Sequence, residues 1–447
     1  MFRGVLLLVF GVFGTFCSIE VNSETLTEAL AKAYWSNPSL QAARAKLRSF
    51  DEKVSEAKSG WRPKLSLDFD IGRKRIDSGK GWQNRTPRTS SINIEQNLFD
   101  GWRTKWKVNG ANEEVLEQRA QLLVVEQNVL FEAVTAYMDV IRDEAVLKLN
   151  QNNELVLRRQ LEASKDRFEV GEVTRTDVAQ AEARLSRAVA DKIQAKGFLS
   201  MSRAAYRRII GDHPGTLKNV ELVKGLPKNK QQSISLAKFN NPDILRLIHQ
   251  ERGAKFAIKK AEGGLYPTID LDGEIKRKDE ASSPTSISEE ASIIATISLP
   301  LYEGGAVSAR IRSAKQNWSY ARRNLDLVVS KVEQDAAESW ESYITSKARV
   351  DALASEVRAA KIALDGVKQE AEVGSRSVLD VLDAGQEVLD ASVSLVRARR
   401  EVTVASFRLR RSVGTLVGSK LNLGVKLYDP LIYYERRKES WFGKSIN

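Results

Sequence analysis

Residues 168–182 read FEVGEVTRTDVAQAE and residues 371–385 read AEVGSRSVLDVLDAG, so that Glu169-Val170-Gly171 falls on Glu372-Val373-Gly374 and Asp177-Val178 on Asp380-Val381 at one constant offset. The same offset relates Phe99-Asp100-Gly101 to Tyr302-Glu303-Gly304 and Ile210-Gly211 to Val413-Gly414, without a gap between. Further upstream, with the register moved by one residue, Asn37-Pro38 falls on Asn241-Pro242 and Pro63 on Pro267. A tandem duplication of this extent predicts two copies of one supersecondary unit that pack against each other with approximate symmetry.

The unit is dominated by helix. Residues 88–213 and 301–429 contain no proline, which leaves room for uninterrupted helices far longer than those of ordinary globular domains. Leu353, Val357, Ala360, Leu364, Val367 and Ala371 alternate spacings of four and three, and Val381, Val388, Leu395, Val402 and Leu409 recur every seven residues. Val178, Leu185, Leu199 and Tyr206 follow the same period in the first half, with Lys192 interrupting it. A strict heptad keeps one seam turned toward a partner helix. Gly171 and Gly374 then mark where each long helix reverses into a return helix.

Four segments switch to a period of two. Leu65, Leu67, Phe69 and Ile71 alternate with Ser66, Asp68 and Asp70; Ile92, Ile94 and Leu98 alternate with Asn93, Glu95 and Asn97. The second half supplies Ile269, Leu271 and Ile275, then Ala295, Ile297, Leu299 and Leu301. Each run has the length of a transmembrane strand, apolar on one face and polar on the other. Trp61, Trp102, Trp106, Tyr266 and Tyr302 flank the ends that join the helices, where they form either an interfacial girdle or ordinary helix packing. Four strands cannot close a membrane barrel, since about eight is the smallest single-chain case and an open edge in lipid leaves backbone groups unpaired. Oligomerisation follows: a dimer gives an eight-stranded barrel, a trimer a twelve-stranded one wide enough for a water-filled lumen.

Arg3 followed by the apolar run Val5 to Phe13, with Val21-Asn22-Ser23 as a cleavage site, predicts a secretory signal peptide over residues 1–23. The single cysteine, Cys17, lies inside it, and Phe16 does not suit a lipid-anchor cleavage site. The exported chain therefore has no disulfide framework and no thiol chemistry. Charged residues make up 29% of the chain, which excludes a polytopic helical membrane protein. The net charge of +12 raises a nucleic-acid reading, which export opposes. Much of the excess lies in Arg73-Lys74-Arg75 with Lys80, Arg85 and Arg88, and in Lys276-Arg277-Lys278. These are solvated loops or contacts to anionic lipid headgroups.

The paired strand and helical-hairpin repeats, the FDGW and YEGG turns at 99–102 and 302–305, and the run Gly374-Ser375-Arg376-Ser377-Val378-Leu379-Asp380-Val381-Leu382-Asp383-Ala384 resemble the TolC family of outer-membrane channel-tunnels, from Leu26 to about Gly414. The resemblance implies a mainly α fold with β: a homotrimeric twelve-stranded β-barrel in the outer membrane continued by an α-helical coiled-coil tunnel through the periplasm. It implies a passive exit duct serving an inner-membrane transporter through a periplasmic adaptor, in an efflux pump or type I secretion system. On this reading residues 24–211 form the first repeat (strands about 64–73 and 90–99, hairpin 102–210) and 212–240 an equatorial segment. Residues 241–414 form the second repeat (strands about 268–277 and 291–301, hairpin 305–413), and 415–447 an equatorial tail.

Asp380 and Asp383 stand three apart on one helix face, so a trimer would set six carboxylates around its axis. The family pattern assigns such a pair to the periplasmic gate. It also implies a latch between Arg376 and the neighbouring hairpin at Thr176 and Asp177, and adaptor docking at the tips Val170, Gly171, Val373 and Gly374. The chain departs from the pattern at Ala371, where the family has tyrosine. His213 and His249 belong to no metal-ligand spacing, and no phosphate loop or nucleophile elbow occurs, so neither enzyme activity nor a cofactor is expected. The competing classes are an exported coiled-coil structural or adaptor protein, which needs no paired amphipathic strands, and a basic nucleic-acid-binding coiled coil.

Overall fold

The computed structural model describes residues 23–77, 79, 81–220, 225–441 and 443; the expected signal peptide up to Asn22, Cys17 and Lys80 lie outside them. The duplication reappears as two sets of elements of nearly equal length. Helices α1 (Leu26–Ser36) and α2 (Pro38–Lys58) lead into strands β1 (Lys64–Ile71), β2 (Lys74–Asp77), β3 (Trp82–Arg85) and β4 (Arg88–Phe99), then into α3 (Arg103–Glu169) and α4 (Arg175–Ile210). The second set is α5 (Lys230–Asn240), α6 (Pro242–Glu262), β5 (Thr268–Asp279), β6 (Ile287–Ser298), α7 (Ala306–Glu372) and α8 (Val378–Ser412). Two short helices, α9 (Gly418–Leu421) and α10 (Leu431–Arg437), follow.

Both long helices have 67 residues, or roughly 100 Å at the α-helical rise. The Asn-Pro pairs explain the kinks between the helices before each strand. Asn37 and Asn241 are extended, as residues before proline must be, and each side chain accepts from the backbone N–H two residues on, at 2.9 Å in both. Helix α5 repeats α1, so the second unit begins at about Lys230, inside the segment 212–240 expected to be equatorial linker.

The sheet has the order β1-β4-β5-β6, antiparallel throughout, with β1 and β6 as open edges. Leu65, Leu67, Phe69, Ile92, Ile94, Ile275, Ile293 and Ile297 project from one face, between 45% and 82% exposed. The opposite face is polar apart from Ile294 and is internally bonded: Asn93 Nδ2 donates to Asp68 at 2.7 Å, and Asn97 Nδ2 to Asp270 at 2.7 Å. Several boundaries differ from the sequence pattern, with β6 beginning at Ile287 rather than at about 291. The last strand ends at Ser298 because Pro300 cannot donate to a ladder. The first stops at Ile71, but its register with β4 continues into a second hairpin, β2–β3, where a basic loop was expected.

The main core lies midway along α3, where α1, α2, α4 and the segment after α8 converge on Leu130, Ala133, Val134, Tyr137 and Tyr206. Glu24 and Leu217 form an isolated parallel bridge there, and Tyr206 Oη donates to the Glu24 carboxylate at 2.9 Å. Gly414 ends α8 at φ +71°, and a Cβ there would stand 2.2 Å from the Asn240 carbonyl oxygen, so glycine is required. The C-terminal segment, expected to stay in the equatorial band, instead runs along α2 toward the strands. Tyr428 N–H donates to Tyr34 Oη at 3.1 Å, Tyr433 Oη to Glu52 at 2.6 Å, and Arg62 Nη1 to the Ser440 carbonyl at 2.8 Å.

Candidate functional site

The residues singled out in the sequence gather at the two hairpin tips, at the far end of the helices from the sheet. Each long helix ends in a Schellman motif with glycine at φ +80°. Gly171 N–H donates to Phe168 O and Glu172 N–H to Arg167 O; Gly374 N–H donates to Ala371 O and Ser375 N–H to Glu370 O. The return helices start with matching capping boxes. Thr174 and Asp177 cap α4, and Ser377 and Asp380 cap α8, each carboxylate accepting from the backbone N–H of its partner at 2.9 Å and from its hydroxyl at 2.8 Å. The runs T-R-T-D and S-V-L-D carry the signature of both caps, a signal that comparing the two repeats does not by itself interpret.

The capping bonds define the electrostatics of Asp380 and Asp177. The backbone N–H and hydroxyl of Ser377 hold the Asp380 carboxyl below the ordinary aspartate range, with Arg376 adding a smaller effect. Asp177 is lowered in the same way by Thr174. Asp383 forms an ion pair with Arg184 of the other hairpin, and Leu382 packs beside it against Leu157 and Ala188. The two hairpins of one chain therefore meet at the first turns of α8. Arg376 lies on its own hairpin, its Nε 2.8 Å from Glu370; within one chain it does not reach Thr176 or Asp177, whose carboxylate is committed to Thr174. Val170 and Val373, at the tips, are 71% and 79% exposed.

Farther up, Val357, Leu395, Val402 and Leu409 of the heptad seam are buried, whereas Leu353, Leu364, Val367, Val381 and Val388 are half-buried. Lys192, which breaks the first-half heptad, reaches Glu154 of α3 at 2.6 Å, and Arg158 holds the same carboxylate at 2.7 Å. At the sheet end, Asp100 of the FDGW turn caps α3 by accepting from Thr104 N–H at 2.7 Å and Oγ1 at 2.6 Å. Trp102 there has φ +66°, the conformation Gly305 adopts in the second copy, and its ring packs edge-on to Phe99. Trp61, Trp102, Tyr266 and Tyr302 are exposed around this end, whereas Trp106 stacks on Phe256. Among the described residues no helix is long and apolar enough to cross a membrane, and no group of three or more His, Cys, Asp or Glu could hold a metal ion.

Residues 29–212 and 233–415, the two repeats, match the family model described as outer membrane efflux protein. The chain belongs to that family. Among curated members of the outer membrane efflux protein family, it is 37% identical to BepC of Brucella suis over 422 residues, covering 94% of this chain and 92% of that one. TolC of Escherichia coli is 26% identical over 410 residues, covering 88% and 83%. The solved CmeC outer membrane channel of Campylobacter jejuni superposes with a TM-score of 0.79 at 14% identity, covering 94% and 90%, which shows the same fold. Membership of the efflux family places this protein in the outer membrane with its helices in the periplasm.

Proposed function

We propose that three copies of this chain close a twelve-stranded barrel and a helical tunnel, and that the assembly is the passive exit duct of a transporter–adaptor complex. The observation that carries this reading is a four-stranded sheet, lipophilic outside and hydrogen-bonded inside, with two open edges and two helices of 67 residues leading away from it. Edges that would be unpaired in lipid find partners on neighbouring copies, β6 against the next β1. A periplasmic coiled-coil adaptor would have no use for an apolar sheet face.

In this reading the tunnel performs no chemistry and the tips control access. Asp380 and Asp383 of three chains ring the narrow periplasmic end, where six carboxylates attract cations. Arg376 and the Thr176-Asp177 turn of the adjacent hairpin restrain that end, with Arg376 exchanging Glu370 for its neighbour, and Val170, Gly171, Val373 and Gly374 receive the adaptor. The test is reconstitution: purified protein in planar bilayers should form cation-selective pores, and crosslinking in cells should recover an inner-membrane transporter and its adaptor from the tips. Protein that inserts without conducting, or tips that recover neither partner, would contradict the duct.

A further inference from the structure

The register between β1 and β4 puts Ile71 opposite Arg88, and that between β2 and β3 puts Lys74 opposite Arg85. No residue is gained or lost between the two ladders, and Gly72 N–H donates to Pro87 O at 3.0 Å across the gap. Because side chains alternate, the apolar outer face of β1 continues upward through Arg73 and Arg75 on one strand, and through Arg88 and Trp82 on the other. The lipid-facing stripe Leu65, Leu67, Phe69, Ile71 is thus capped by three arginines and a tryptophan. All four are exposed, Trp82 by 65%, and the Arg75 guanidinium lies over the Trp82 ring 5.0 Å from its centroid.

Like charges stacked on one face of a hairpin repel each other, yet none of these arginines is in an ion pair among the described residues. The nearby acids are otherwise engaged. Asp77 accepts from the N–H groups of Gly79 at 2.9 Å and Gly81 at 3.1 Å, Asp279 from Arg277 Nε at 3.4 Å, and Glu280 from Thr86 N–H at 2.9 Å. In the other outer hairpin Lys276 pairs with Glu274 and Arg277 with Glu289, while Lys278 is in no ion pair among the described residues. The outer face of the first hairpin carries Arg73, Arg75 and Arg88 against Asp77, with Asp279 of β5 opposite Arg88, and is left with a net cationic surface directly above the apolar band, at the barrel end opposite the helices and so on the outer leaflet.

We propose that Arg73, Arg75 and Arg88, with Trp82, form a binding surface for the phosphate groups of the phosphorylated glycolipid of the outer leaflet. Planar guanidinium groups match phosphate oxygens in pairs, the indole beyond them at the level of Asp77 supports the Arg75 guanidinium on its ring face, and the apolar stripe below accepts the chains. The anion then neutralises the repulsion among the arginines. This surface rests on the outer-membrane placement of the barrel and on the proposed trimer, to which each chain would bring one copy.

The test uses the whole detergent-extracted protein and bis-phosphorylated lipid A as probe, read by native mass spectrometry. Wild-type protein should retain lipid A, prefer it to phosphate-free lipid A, and keep it against an equal concentration of phosphatidylglycerol. The variant Arg73→Gln/Arg75→Gln/Arg88→Gln should retain it about tenfold less, or weaker still. Equal retention by an assembled variant, equal retention of the phosphate-free lipid, or full displacement by phosphatidylglycerol would each overturn the proposal. If the variant does not assemble, the phosphate comparison on wild-type protein decides alone. Conductance of the same preparations reads the channel separately, so failure of this surface is distinct from failure of the duct.

Discussion

Asp380 has two employments in one carboxylate. One oxygen caps α8 through Ser377, and the charge that remains is available to the proposed gate. Since Ser377 lowers its pKa, both the cap and the charge are present above the ordinary aspartate pKa of the unfolded chain and are lost only as pH falls through the lower folded value. Cation selectivity should therefore persist into mildly acidic conditions, and Asp380→Asn with Asp383→Asn should weaken it at neutral pH; unchanged selectivity in bilayers would turn these acids away from the conduction path. Asp51 of α2 shows the opposite sign. It is 1% exposed, neither carboxylate oxygen has a hydrogen-bond partner, and burial raises its pKa to about 6, against the pull of Arg119. The folded chain holds that proton where the unfolded chain has lost it, so stability contributed by Asp51 falls as pH rises from about 4 through about 6. Asp51→Asn should raise the unfolding midpoint at pH 7.5 more than at pH 5, measured by thermal melts; an equal shift at both would mean that Arg119 keeps the carboxylate charged. Nothing in the sequence marks Asp51, because its burial comes from packing against α3 and α10, which share no local pattern with it.

At the scale of elements, the hairpin tips are where sequence and structure correspond most closely and where the sequence also misleads. Gly171 and Gly374 are legible because a glycine closing a long heptad run supplies the left-handed residue that a helix needs to reverse, and both sit at φ +80° with open space around the missing Cβ. Gly374→Ala should therefore cost only the backbone term, about 1 kcal/mol, and Ser377→Ala a similar ~1 kcal/mol from the lost cap. Chemical denaturation of extracted protein would measure both, and a near-zero cost for the pair would mean that the tips fray. The Asp177 and Asp380 match is legible as repetition, but its first cause is the capping box. The heptads are legible too, since burial of one seam imposes the period, but the ion pair that rescues Lys192 depends on Glu154, on another helix. Likewise β2–β3 hides in a run of arginines and lysines, where charge outweighs the strand signal. The proposed latch belongs to this scale. Arg376 is held by Glu370 within its hairpin, an exposed and solvent-screened pair, so the proposed latch requires only that Arg376 exchange this carboxylate for a partner on the adjacent hairpin. Arg376→Ser should raise single-channel conductance while leaving the assembly intact on gels; wild-type conductance would assign closure to packing around Leu382 instead.

At the scale of the molecule, duplication and strand count together decide the architecture. Two units of matching helix lengths each supply one pair of long strands, and the pairs join as β4 against β5 to give a half-open sheet that no single copy can close. The fold class can be read from the sequence because every level agrees: proline-free spans, heptads, alternating strands and turn glycines all describe the same repeat. The path of the C-terminal segment along α2 cannot, because its anchors are individual tyrosine hydroxyls and the backbone of Ser440 rather than a periodic face. The central claim is that lipid forces the open edges β1 and β6 to pair between chains. Native mass spectrometry of protein extracted directly from outer membranes tests it: the account predicts a single species of three chains, and a monodisperse species of one chain that still inserts and conducts would contradict it.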